Sequence, residues 1–275
     1  MNQRLFFQLL LSAGLSALLF SCEKDFSAKQ KGSADLQVAG KAMQDKKINT
    51  FKGPEVHIGK GMMRSFAAIS HTGVPQELGI EMTSESFQGL PSTEGEYSFI
   101  VPLHQKARQV TPFDHLEIDW NPFGHPPPGI YSLPHFDFHF YKISLQQQMA
   151  IPPYSQQTAS LFDNYPPEGY IPTGYIPGPG GVPQMGKHWL DVLSPEFNGQ
   201  MFTKTFVYGT YNGAVTFYEP MVTKAYIESG VSSTADIRQP QYFSPTNTYY
   251  PTKYNIYTVA GTGKHYISLS DFVRR

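Results

Sequence analysis

Cysteine is almost absent from this chain: one residue in 275, Cys22. No disulfide can form within the chain, so the fold rests on its core. If Cys22 carries a lipid, as its context suggests below, no free thiol remains. A cysteine nucleophile, thiolate metal sites and redox chemistry at sulfur are then excluded, and any metal must be held by nitrogen and oxygen. Charge of one sign is also lacking: formal net charge is −1, and Lys and Arg do not cluster after the first 50 residues. This removes the basic footprint of a nucleic-acid-binding protein. No His-Glu-x-x-His and no Gly-x-Ser-x-Gly occurs. Gly181 to His188 follows the phosphate-loop pattern until its last position, where magnesium needs Ser or Thr and His188 stands instead. Pro183 also removes an amide that would face phosphate. Gly261-Thr-Gly-Lys264 is shorter still.

The N-terminus reads as a targeting segment. Met1 to Arg4 is basic, Leu5 to Phe20 is mostly apolar, and Ser21-Cys22 follows. This is the order of a secretory signal, and its apolar run is shorter than the roughly 20 residues of a membrane span. Leu19-Phe20-Ser21-Cys22 resembles a bacterial lipobox, which predicts a signal peptide over 1–21 and lipidation of Cys22. The alternative is an ordinary signal peptide with an incidental cysteine. Residues 22–50 are polar and Lys-rich and read as a flexible tether. Glu23-Lys24-Asp25 is similar to charged surface-export signals. The expected setting is a bacterial cell envelope, lipid-anchored at the outer membrane, on its periplasmic or surface face.

Residues 51–275 suit a single β-rich domain, either a β-barrel or a curved β-sandwich with long Pro/Tyr/Gly-rich loops. Phe 20, Tyr 17, Gly 24 and Pro 23 favour short strands and turns over helices. Strands are expected near Glu55–Lys60, Met62–Ser70, Glu77–Thr83, Tyr97–Leu103, His115–Trp120 and His135–Ser144. More follow near Phe202–Tyr211, Ala214–Glu219, Tyr254–Val259 and His265–Val273. Asn212-Gly213 between apolar runs is a hairpin signal. Leu145 to Met149 reads as one helical turn, and Met221 to Ser229 as helix or strand. Pro152 to Gln184, with Gly-Tyr-Ile-Pro twice, reads equally well as a lid or as a surface wrap.

The densest chemical signal is His135-Phe-Asp-Phe-His-Phe-Tyr141. Strand side chains alternate between faces. Phe136, Phe138 and Phe140 therefore share the core side, and His135, Asp137, His139 and Tyr141 the other. His115 to Trp120 alternates in the same way, with His115, Glu117 and Asp119 on one face. The two strands are joined by one loop and are expected to be antiparallel neighbours. Positions i and i+4 on a strand lie roughly 13 Å apart, and i and i+2 about 7 Å. So His135 with Asp137, or Asp137 with His139, can share an ion more readily than both histidines together. His188 is the best distant ligand, with Gly186 and Trp189 positioning it. Glu219 is another, a carboxylate expected to share a face with Val215 and Phe217 before Pro220 ends the strand. His125 in the intervening loop is a weaker ligand or a gate.

The metal candidates are thus His135, Asp137, His139, His188, Glu219 and His125, with Asp137 and Glu219 also candidate catalytic groups. Histidine and carboxylate sets suit zinc or non-haem iron. Three readings remain open: a metal-dependent hydrolase or lyase acting on a small molecule; a non-catalytic small-molecule- or metal-binding lipoprotein; and a structural or assembly module, which could be a homo-oligomer. A metal-free acid–base pocket and a plain polar network across the sheet face are the alternatives at the residue level.

The run Asp119-Trp-Asn-Pro-Phe-Gly-His125, Pro128-Gly-Ile-Tyr131, Pro134 to Tyr141, with Met185-Gly-Lys-His-Trp189, Ser194-Pro-Glu196 and Phe217 to Thr223, resembles an uncharacterised bacterial family. Its members are exported or lipid-anchored β-rich proteins, a domain of unknown function with a Thermus protein as structural representative. The resemblance spans about residues 95–228 and implies a β-rich fold without an assigned activity. A fainter likeness to α-carbonic anhydrases, whose zinc strand carries His-x-His, departs here as His-x-Asp-x-His.

Overall fold

The structure, a computed structural model, describes residues 48–275. The expected signal peptide, Cys22 and most of the expected tether lie outside the described residues. The strands are β1 (Ile48–Lys52), β2 (Val56–Ile58), β3 (Gly61–Ser70), β4 (Pro75–Thr83), β5 (Tyr97–Pro102), β6 (His115–Asn121), β7 (His135–Tyr141) and β8 (Tyr175–Pro177). They continue with β9 (Lys187–Asp191), β10 (Lys204–Tyr211), β11 (Ala214–Thr223), β12 (Ser233–Asp236), β13 (Tyr249–Tyr250), β14 (Lys253–Val259), β15 (Lys264–Ser270) and β16 (Val273–Arg274). Residues 48–50, read from sequence as the end of the tether, are already strand, paired to β3.

Two seven-stranded antiparallel sheets carry the fold. The first runs β1-β3-β4-β15-β14-β12, with β2 added on β3; the second runs β5-β6-β7-β11-β10-β9-β8. Neither closes into a barrel, so the architecture is a β-sandwich. Its main core joins Leu78, Ile80, Met82, Ile256, Ile267 and Leu269 from the first sheet with Leu116, Ile118, Phe136, Phe138, Phe140, Tyr218 and Val222 from the second. Alternation therefore acts as expected in β6 and β7, and their apolar face is the sandwich interior.

Several local expectations hold. Asn212-Gly213 forms a two-residue hairpin turn with both φ values positive, between paired Tyr211 and Ala214. Leu145–Met149 is a helix closed by a Ser144–Gln147 capping box. Two expectations about Glu219 need correction. Pro220 does not end the strand, for β11 continues to Thr223 before a short helix, Lys224–Glu228. The register with β7 is the same on both sides of Pro220, Tyr218 facing Phe140 and Met221 facing Asp137, which puts Glu219 opposite His139. Val215 does not share the face of Glu219. A bulge lies where Gly209 pairs with Phe217 but Thr210 pairs with Val215, and it turns Val215 toward the main core.

The outer face of the first sheet carries its own buried charge. Glu81 meets Lys52 Nζ at 2.8 Å, Lys264 Nζ at 2.9 Å, Arg64 Nη2 at 3.1 Å and the Tyr266 hydroxyl at 3.0 Å. Burial would raise this carboxyl, but Lys52, Lys264 and Tyr266 outweigh it and lower it from 4.5 to about 2. A depressed carboxyl contributes stability that is complete above its ordinary value and is lost as pH falls toward its folded value. Glu81→Gln is expected to lower unfolding stability at pH 7 by about 1–3 kcal/mol. The gap to wild type should shrink in urea titrations as pH drops from 4.5 toward 2; a gap independent of pH would contradict this account.

Candidate metal centre

The polar face of β6 and β7 points away from the sandwich core, yet every residue of both strands is buried. Loops supply the cover. Tyr131, from the segment between β6 and β7, packs with Phe202, Val207 and Met221. Val182 and Met185 pack on Tyr141 and Phe217, and the Tyr141 hydroxyl donates to the Gln184 carbonyl at 3.3 Å. The candidate ligands therefore lie on a loop-covered outer face of the second sheet. The Pro152–Gln184 stretch divides between its two readings. Its second Gly-Tyr-Ile-Pro copy supplies β8 at the sheet edge, with Tyr175 reaching the main core, while residues 182–184 lie over the polar face.

Register fixes who faces whom. Glu117 is opposite His139, Asp119 opposite Asp137, and Asn121 opposite His135. Cross-strand neighbours stand about 5 Å apart, nearer than i and i+2 on one strand. Ligand sets therefore draw on neighbouring strands and loops as well as on i, i+2 neighbours of β7.

The first set is His139, His188 and Glu219. His139 Nε2 lies 3.6 Å and His188 Nε2 3.5 Å from the same Glu219 Oε2. One ligand atom from each residue falls within 4.8 Å of the other two. His139 and Glu219 are 1% exposed, while the His188 side chain keeps 20%. His188 reaches this point from β9, across β10, because its partner there is Gly209. A Cβ on Gly209 would stand 2.0 Å from the Phe217 ring, which lies across it. Phe217 in turn packs edge-on to His139, with centroids 4.7 Å apart. Trp189 anchors β9 as expected, its indole N–H donating to Thr210 Oγ1 at 2.8 Å.

The second set is His125, His135 and Asp137, again with ligand atoms within 4.8 Å of one another. His125 Nε2 is 3.2 Å from Asp137 Oδ2, and His135 Nε2 is 3.2 Å from Asp137 Oδ1. A third grouping, Glu117, Asp119 and His139, shares His139 with the first set. Asp119 Oδ2 lies 2.9 Å from His139 Nδ1, so the ring stands between two carboxylates. Glu117 is satisfied from elsewhere: Gln148 Nε2 donates to it at 2.8 Å, and Gln148 Oε1 contacts His115 Nε2 at 2.7 Å.

The buried face is short of donors. Both oxygens of Asp119, both nitrogens of His139, His135 Nε2, Asp137 Oδ1 and Glu219 Oε2 have no hydrogen-bond partner among the described residues. Each buried polar atom left this way costs about 1–3 kcal/mol. The protonation equilibria reflect the same shortage. Burial, then the charges of Asp137 and Asp119, push Glu219 well above the usual carboxylate range. Burial and Asp137 raise Asp119 to about 8, and burial and Asp119 raise Glu117 to about 7. Burial lowers His139, and burial with His139 and His125 lowers His188 to about 3. Free-base imidazoles are the form that ligates metal. For Asp137, burial is outweighed by His135 and His125, which hold it below its ordinary range. The side chains are geometrically able to hold a metal ion.

All six candidate ligands sit on this one face, but they form two sets rather than one site. His135 and His139 fall in different sets, as strand rise requires, and β7 shows no distortion that would bring them together. His125 is a full member of a set. Asn121, Gly209 and Gln148 also belong to the site's framework. Sequence alternation marks Asp119 and Asn121 on β6; nothing local marks Gly209 or Gln148. No family model, curated protein or solved structure matches this chain.

Gly209→Ala is expected to displace Phe217 and lower stability by about 1–3 kcal/mol. A chemical denaturation midpoint equal to wild type would show that the ring does not need this glycine.

Proposed function

We propose that this is a divalent-metal protein whose His139, His188 and Glu219 hold a first-row transition ion, zinc or iron. The observation that carries this reading is the donor-poor ligand set itself: two imidazoles and a carboxylate converging, with His139 Nε2 and Glu219 Oε2 buried without a hydrogen-bond partner among the described residues. One cation satisfies all three at once, where separate hydrogen bonds would need three donors. Two histidines and one carboxylate leave coordination positions for water or substrate. Bound there, the ion would polarise a carbonyl or lower the pKa of water, which suits hydrolysis or lyase chemistry on a small molecule. Glu219 then acts as ligand. Asp119, beside His139 and raised to about 8, and Glu117, raised to about 7, are carboxyls able to trade a proton near neutral pH.

A non-catalytic metal-binding role is the second reading. Deep burial of His139 and Glu219 favours it, since approach to the ion is limited to the His188 side. Residues 1–22 support export and lipid attachment, so the protein would work in the bacterial envelope, held at the outer membrane through Cys22. The motif resemblance to exported β-rich proteins of unknown function agrees with that setting. Cys22→Ser should move the protein from membrane to soluble fractions and abolish palmitate labelling; unchanged partition would remove the anchor.

Metal analysis of the purified full chain separates the readings. Zinc or iron should co-purify or reload after chelation. At a free ion concentration 100-fold above Kd, the ion should add about 2.7 kcal/mol of stability. His188→Gln should lose this ion and its stabilisation. Metal-dependent turnover of small esters or phosphoesters, absent in His188→Gln, supports the enzyme; a bound ion without turnover supports the binding protein. If nothing binds at this set, both readings fail.

A further inference from the structure

The three residues His125, His135 and Asp137 are not explained by the ion at Glu219. His135 Nδ1 lies 2.6 Å from the Leu133 carbonyl, and His125 Nδ1 lies 2.8 Å from the Pro126 carbonyl. A carbonyl only accepts, so in each ring Nδ1 carries the proton. Each ring then turns its Nε2 inward, 3.2 Å from a different oxygen of Asp137. Asp137 is itself positioned by Asn121 Nδ2, which donates to Oδ2 at 2.8 Å. His135 Nε2 and Asp137 Oδ1 are buried with no hydrogen-bond partner among the described residues, in residues 0% and 2% exposed. Backbone carbonyls fixing the tautomer of two histidines, and an amide fixing the carboxylate, are the outer-shell pattern of metal ligation.

We propose that His125, His135 and Asp137 form a second divalent transition-metal site, separate from the first, whose ion clasps the 122–134 loop onto the sheet. Two of its ligands are on β7, and the third, His125, comes from the loop that covers the face. That loop holds Tyr131, fully buried against Phe202, with ring centroids 4.9 Å apart. An ion joining His125 to Asp137 would therefore fix the loop that covers this end of the polar face. Nitrogen and carboxylate donors suit zinc or iron(II) rather than calcium or magnesium. The competing occupant is a proton on His125, making an imidazolium–carboxylate pair with Asp137.

Titration of the chelated full-length protein with cobalt(II) or zinc decides this. Wild type should saturate at two equivalents, and His125→Gln and His188→Gln at one each. In hydrogen exchange, metal should slow amides of residues 124–131 in wild type and in His188→Gln but not in His125→Gln. His125 is partly exposed on a loop, and Asp137→Asn, which preserves volume, serves as the second variant; it too should bind one equivalent. A single equivalent in wild type that survives in His125→Gln and disappears in His188→Gln would overturn the second site and leave the first intact. The reverse pattern would overturn the first site and keep the second. Two equivalents retained by both His125→Gln and Asp137→Asn would also overturn the proposal.

Discussion

The burial of more hydrogen-bond acceptors than donors on one sheet face governs this structure. Asp119, Asp137, Glu219 and the free nitrogens of His135 and His139 are held out of water by loops, and the nearby protein donors are few. An isolated buried carboxylate is too costly to keep ionised. The face must be neutralised by protons, by imidazolium groups or by metal ions. The three outcomes share one geometry, and the raised carboxyls of Glu219 and Asp119 express the first outcome in the ion-free protein. A transition ion relieves that strain by taking the place of several protons at once.

The sandwich core makes such a face tolerable. Phe136, Phe138 and Phe140 insert between the sheets, fully buried, alongside Leu116 and Ile118 of the neighbouring strand. A slip of one residue would exchange these rings with histidines and carboxylates, so the register of β6 and β7 is strongly specified. The polar residues are carried to the outer face by the same alternation that builds the core. Their precision comes from apolar packing beneath them and from Phe217, which packs against both His139 and His188 above a glycine.

Much of the fold was legible. Strands β2 to β7, β10, β11, β14 and β15 were visible, as were the Asn212-Gly213 hairpin and the helical turn after Ser144, while β1, β8, β9, β12, β13 and β16 were not. The barrel alternative was not distinguishable, because closure depends on how the edge strands β1, β5, β8 and β12 end, and alternation is the same in a sandwich. Pro220 misled because a proline removes one ladder donor without ending a strand whose other pairings are strong. Val215 misled because a bulge resets the period of two, and no residue announces that bulge.

By itself the sequence determined which residues share a face, since a period of two in His135 to Tyr141 leaves no other arrangement in a strand. It also determined the ligand chemistry: with Cys22 alone, any ion here must be bound by nitrogen and oxygen. Only the tertiary structure decided how those residues group. Neighbours at i and i+2 on one strand, such as His135 and Asp137, supply at most two ligands of a set, and the rest must come from other strands or loops. Grouping therefore follows inter-strand register, the reach of His188 across Gly209 and the return of the His125 loop. These are long-range pairings that no local pattern encodes, and they turned one conspicuous strand into parts of two ligand sets.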